Sequence, residues 1–213
     1  MNPITEAGRY VAEVTMASEQ TFRALLILSL ALFLPIGLYH RIRAASGERL
    51  SRRDEGVFVM VALRLFGLVT CAALLSYLIN PGWMAWSSLP LPVWLRWAGA
   101  ALGVWVVPPL LFWVFHSLGP NLTDTVVTRR EHTLITNGPY RWVRHPFYGV
   151  GFLGLISVTL MTANWFIALA GAVVIALLVY RTRTEEVKLI ERFGDEYRAY
   201  RERTGAFFPR WTR

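Results

Sequence analysis

The sequence predicts an all-α, polytopic membrane protein with about five transmembrane helices and a C-terminal amphipathic helix on the cytoplasmic side. Three observations carry that expectation. Hydrophobic residues make up 54% of the chain and charged residues 17%. Several uncharged runs approach the roughly 20 residues needed to cross a bilayer core of about 30 Å. The basic residues are also clustered: all except Arg9, Arg23, Arg64 and Arg96 fall in 40–55, 116–147 and 181–213, each beside an apolar run.

Taken in order, residues 1–20 read as a short exposed or interfacial segment, without the small-residue cleavage pattern of a signal peptide. A first span runs over about 22–39, with Pro35 placed to kink it. The polar loop 40–55 leads to a second span over about 56–79, which Asn80-Pro81-Gly82 should end, since proline removes a donor and glycine favours turns. The connection 81–92 carries no charge but holds Trp83 and Trp86, residues suited to the headgroup level of the outer leaflet. A third span covers about 93–115, and Pro108-Pro109 should bend or interrupt it. The uncharged run 147–180 is too long for one span at about 1.5 Å per residue. Its turn is placed at Thr162-Ala163-Asn164, giving two shortish helices over 148–161 and 165–180. In the tail, Val187, Ile190 and Tyr197 recur at helical spacing among charges, predicting an amphipathic helix over 182–203 that ends before Pro209.

Five spans put the termini on opposite sides. The arginine bias assigns the three basic stretches to the cytoplasm and the N-terminus to the outside. The chain is expected to be a single integral domain, with a three-span part at 1–115 and a more polar, site-bearing part at 116–213. A net charge of +8 clustered this way fits anionic lipid rather than nucleic acid, so no nucleic-acid partner is expected. Lys188 is the one lysine among 22 basic residues. Arginine keeps its charge and contacts carboxylates or phosphates through two parallel bonds. The single Cys71 excludes an intrachain disulfide, and His40, His116, His132 and His145 lack paired ligand spacing, so no metal site is expected.

Two polar clusters stand out. The first is 132–149, HTLITNGPYRWVRHPFYG. Proline after His145 disfavours helical geometry at the histidine, and Pro146 suits the first turn of a helix. Such a start exposes backbone N–H groups and the positive end of a helix dipole, which suits an anionic group. Tyr140, Arg144, His145 and Tyr148 would surround it. An interfacial anchor made of Arg and Tyr is the other reading of the same residues. The second cluster is 181–186, RTRTEE. Here Arg181 and Glu185 either form an ordinary pair one turn apart, or a carboxylate binds hydroxyl or amino groups while an arginine holds an acid. Spacing does not choose between them. Arg64, inside the second span, is a secondary candidate for a cavity-facing charge. Gly99 and Gly103 form a GxxxG pattern compatible with tight helix packing. No GxGxxG or P-loop pattern occurs.

These clusters carry a resemblance. Residues 132–149, the following apolar hairpin, RTRTEE, and LIERFGDEYRAYRERT with FFP resemble the isoprenylcysteine carboxyl methyltransferase family of integral membrane methyltransferases. The resemblance implies an S-adenosyl-L-methionine site at the cytoplasmic face. It implies that His132, Leu134, Tyr140, Arg144, His145 and Tyr148 enclose the cofactor, and that Glu185 and Glu186 bind its polar groups. Arg181 or Arg183 would position an acceptor carboxylate, with Glu186 also among the catalytic residues. The implied partners are membrane lipids and a lipophilic or prenylated acceptor. A bacterial source would favour a smaller isoprenoid-like or lipid acid. Related phospholipid N-methyltransferases, an NADPH-dependent sterol-type reductase and a non-catalytic scaffold are the alternatives.

Overall fold

Why the apolar runs become helices follows from the solvent: in hydrocarbon every backbone N–H and C=O must be satisfied within the segment. The computed structural model describes residues 3–44, 57–119 and 133–210. In chain order its helices are α1 (Pro3–Ala44), α2 (Val57–Ile79), α3 (Val93–Ala101), α4 (Val107–Leu118), α5 (Pro146–Thr162), α6 (Trp165–Phe193) and α7 (Asp195–Arg203). Four helical stretches are long and apolar enough to cross a membrane: Ser18–His40, Val57–Ile79, Val93–Leu118 and Trp165–Phe193. Pro146–Thr162 is a shorter apolar helix. The expected all-α polytopic class is what the described residues form.

Two expectations change and a third takes a specific form. Residues 3–20 are not a separate segment but the first turns of α1, which continues unbroken through Pro35. Glu6, Ala7, Arg9, Ala12, Glu13 and Ala17 all favour helix. The third span is interrupted beside its proline pair as expected, but by a change of helix type and not by a loop. A π-helical stretch, Leu102–Val106, joins α3 to α4, and the Val107 N–H reaches back to the Leu102 carbonyl. The widened turn lies just where Pro108 and Pro109 remove two donors. Finally, the amphipathic helix expected at 182–203 is two pieces. Residues 182–193 extend α6, and Gly194, at φ +54°, turns the chain into α7. The loop 45–56 lies outside the described residues.

Helix α2 packs along α6, α3 along α5, and α1 along α4. The α3–α5 approach depends on the GxxxG glycines. A Cβ at Gly99 would sit 2.5 Å from the Leu160 Cβ, and one at Gly103 2.4 Å from the Ser157 Oγ. Ser157 Oγ donates to the Gly99 carbonyl at 2.8 Å, across the same contact.

The bundle has two different ends. At one, the turn between α5 and α6 is built as expected. Ala163 is left-handed at φ +45°, and Asn164 caps Ile167 while donating to the Met84 carbonyl (3.1 Å) and the Ser87 hydroxyl (2.8 Å). Nearby, Arg96 donates to Glu19 (2.8 Å), the Met161 carbonyl (2.7 Å) and Tyr77 (3.3 Å), and Tyr77 donates to Glu19. This network joins α1, α2, α3 and α5 over a core of Leu26, Ala73, Ala100, Met161 and Ile167. At the other end a second core, with Val107, Leu111, Val114, Phe115, Tyr140 and Val150, supports the polar clusters.

Candidate functional site

The second end holds a cavity of about 580 Å³. Phe33, Leu34, Gly37 and Leu38 of α1 and Leu111, Phe115 and Leu118 of α4 give it an apolar side. Its polar side combines the two sequence clusters: Tyr140, Arg144, His145 and Tyr148 with Arg181 and Glu185. Residues 37 positions or more apart are thus brought together by the α5–α6 hairpin, as Tyr148 to Glu185 illustrates.

The local sequence explains how each side chain arrives. Gly138–Arg141 forms a 3-10 turn opened by Pro139, which buries Tyr140 beneath the cavity. His145 precedes Pro146 in non-helical geometry (φ −122°, ψ 59°), and α5 starts at the proline without a side-chain cap. The predicted loop-to-helix junction is therefore present. The apolar run of α6 ends at Tyr180, and the helix continues beyond the span as a polar extension. That extension presents Arg181 and Glu185, one turn apart, to the junction.

Glu185 and Glu186 do different things. Tyr148 donates to Glu185 Oε1 at 2.7 Å, Arg181 Nε lies 3.4 Å from the same oxygen, and His145 Nδ1 is 3.6 Å from the other. Glu185 lines the cavity. Glu186 is turned behind it: Arg144 Nε donates to its Oε1 at 2.8 Å, His145 Nε2 is 3.4 Å away, and Arg201 reaches its Oε2 at 3.9 Å. The hydrogen bond from His145 hold its carboxyl at about 2, below the usual 4.5, helped by the bond and charge of Arg144 and opposed by burial. The imidazole of His145 is therefore held between two carboxylates, with its ring stacked on Tyr148 at 5.7 Å. Burial also raises the phenol pKa values of Tyr140 and Tyr197, and pushes Tyr200 up to about 12. These phenols are donors at neutral pH, and Tyr200 donates to the Tyr140 carbonyl at 2.6 Å.

Other sequence candidates fall elsewhere. Arg183 is exposed, with its guanidinium 5.9 Å from the Tyr180 ring, and does not line the cavity. Leu134 is half-buried and is also absent from the lining. His132 lies outside the described residues. Arg64 of α2 is exposed and does not line the cavity. Among the described residues no cluster of three or more His, Cys, Asp or Glu is placed to hold a metal. Sequence reasoning missed the α1 wall, because apolar residues in a span carry no mark of which neighbour they face. It also missed the backbone contacts that residues 201–206 make to Arg144 and His145; the FFP tail was the available signal.

Residues 100–191 match the model of the Isoprenylcysteine carboxyl methyltransferase (ICMT) family, in agreement with the resemblance read from the motifs. Among individual proteins, the chain is 37% identical over 100 residues to the mouse (Mus musculus) protein-S-isoprenylcysteine O-methyltransferase, covering 44% of this chain and 34% of that one. The human (Homo sapiens) protein of the same name is 33% identical over 96 residues, with 44% and 34% covered. The cobalt-zinc-cadmium resistance protein CzcN of Cupriavidus metallidurans is 39% identical over 83 residues, covering 38% of each chain. The chain thus matches about a third of the length of these relatives.

Proposed function

We propose that this chain, in which residues 100–191 match the isoprenylcysteine carboxyl methyltransferase family, is a membrane-embedded S-adenosylmethionine-dependent methyltransferase that O-methylates the carboxylate of a lipophilic acceptor. The observation that carries this reading is one cavity with an apolar side and a charged side. Its volume of about 580 Å³ lies in the usual range of about 300–1,000 Å³ for small-molecule sites. The donor set suits the cofactor: Glu185 accepts from cationic amino groups or hydroxyls, and Tyr140, Tyr148 and His145 offer aromatic faces. The bound cofactor would supply an electrophilic methyl group on a sulfonium.

The remaining chemistry belongs to the residues of the chain. An acceptor carboxylate is already a nucleophile at neutral pH, so no proton has to be removed. What is needed is alignment and exclusion of water. Of the two cavity-lining arginines, Arg144 is engaged by Glu186 and the carbonyls of Arg201 and Thr204, so Arg181 is the one suited to grip a carboxylate through two parallel bonds. Tyr148 and His145 hold Glu185 in place, while Glu186 fixes Arg144 and His145 from behind. The apolar side formed by α1 and α4 suits the acceptor's hydrocarbon part, and Leu34 and Leu38 on it are exposed. The clustering of basic residues supports a cytoplasmic position for this end and for the C-terminus.

The test is calorimetric titration of the purified chain in detergent or lipid with S-adenosylmethionine, followed by a screen of lipid and prenyl acids using methyl-labelled cofactor. Micromolar-range binding and base-labile label in an acid acceptor are expected. A folded sample that binds no S-adenosylmethionine would sink the reading, and preferential NADPH binding would replace it with a reductase.

A further inference from the structure

The match to the family model stops at residue 191, yet the chain beyond it packs against residues that line the polar side of the cavity. The chain passes through α7 and returns beneath the His145 junction. Val143 pairs with Gly205 in a parallel bridge. The Arg144 N–H donates to the Gly205 carbonyl at 2.9 Å, and the His145 N–H to the Ala206 carbonyl at 3.0 Å. The Arg144 side chain, besides gripping Glu186, donates to the Arg201 carbonyl at 3.2 Å and to the Thr204 carbonyl. The Phe207 ring then lies 5.8 Å from His145 and 6.4 Å from Tyr148. Phe207 does not line the cavity; it backs the two rings that do.

The strap is built for this path. Gly205 is buried, and a Cβ there would stand 1.6 Å from the Phe208 carbonyl oxygen, so the turn admits no side chain. Thr204 is buried too and donates its hydroxyl to the Tyr200 carbonyl at 2.5 Å, closing α7. Arg144 and His145 lie between the 3-10 turn and α5, and their N–H groups donate to neither element. Buried backbone donors need partners, and those at 144 and 145 find them in 205–206.

We infer that Thr204–Phe207 is a third component of the site: a C-terminal strap that fixes the backbone at Arg144 and His145, with Phe207 as a positioning residue for the His145 and Tyr148 rings. Arg144 locks the device by tying the carbonyls of 201 and 204 to Glu186 of α6. This inference rests on the methyltransferase reading only for the consequence in cofactor binding; the strap's mechanical role stands apart from it.

The experiment compares the full chain with Phe207→Ala and Phe207→Tyr by amide hydrogen exchange and by titration with S-adenosylmethionine. In Phe207→Ala, amide exchange in 143–148 should quicken while α1 to α4 exchange as before. Binding should weaken about threefold to tenfold, the effect of losing one well-oriented aromatic contact. Phe207→Tyr keeps the ring and should restore both readouts to within about twofold. Unchanged exchange and unchanged binding in Phe207→Ala would overturn the strap, as would loss of protection spread through the whole bundle. If the parent chain binds no S-adenosylmethionine, the methyltransferase reading fails, and the strap is judged by local exchange alone.

Discussion

The Glu186 carboxylate is the point at which the site's two halves are joined, and Glu186→Gln measures that junction. Arg144 Nε lies 2.8 Å from it, with side chains only 10% and 19% exposed. A hydrogen bond to a charged group contributes about 1.5–3 kcal/mol. Partial exposure argues for the middle of that range, and Arg144 keeps its bonds to the carbonyls of Arg201 and Thr204. A loss of about 2 kcal/mol in the ordered site corresponds to roughly 30-fold weaker cofactor binding. Calorimetry on both proteins checks this. The same carboxylate also predicts an acid profile. Its pKa is about 2 in the folded chain against a usual 4.5, so the unfolded state binds the proton first as pH falls. The stabilisation is fully present above about 4.5 and is lost as pH drops through about 2. Melting temperature should therefore fall less steeply over that window in Glu186→Gln than in the parent. Equal binding and parallel acid profiles would refute the reasoning.

Three further outcomes are expected. Arg181→Ala should abolish most acceptor turnover while Arg183→Ala leaves it within about twofold, because Arg181 lines the cavity and Arg183 does not; steady-state kinetics with a methylated acid product decides. Gly103→Ala, whose Cβ would meet Ser157 Oγ at 2.4 Å and Ser29 Oγ at 2.9 Å, should destabilise the chain by about 1–3 kcal/mol through overpacking, read as a lower melting temperature in detergent. A reporter fused at the C-terminus should be cytoplasmic and one at the N-terminus external; both on one side would contradict an odd number of crossings.

What was readable beforehand had a local physical cause. Uncharged runs marked the spans because charges are costly in hydrocarbon. The Thr162-Ala163-Asn164 turn and the helix start at Pro146 were readable because chain length and proline geometry act on adjacent residues. The convergence of His145 and Tyr148 with Glu185 also followed, once the hairpin was recognised. Pairings between distant segments were not readable. Nothing near Arg96 announces Glu19 or Tyr77, and nothing near Gly205 announces Val143. Which helix face meets which neighbour also stayed hidden, since a span facing lipid and one facing protein are equally apolar. Separating Arg181 from Arg183 and Glu185 from Glu186 required that same missing information about helix rotation.

The unequal arms of the α5–α6 hairpin set the depth at which the site lies. Both arms leave the same Ala163–Asn164 turn beside the tryptophan-rich end. The 17 residues of α5 carry the chain about 25 Å to Pro146, at 1.5 Å per residue. Along α6, Trp165 to Glu185 covers about 30 Å by the same rise. The cavity's charged groups are therefore held at about one hydrocarbon thickness from that turn. A water-soluble cofactor and a lipid-borne acid could meet there without either crossing into the other's solvent. Inserting one helical turn in both arms would move that meeting plane by about 5 Å, and the acceptor's preferred chain length should move with it.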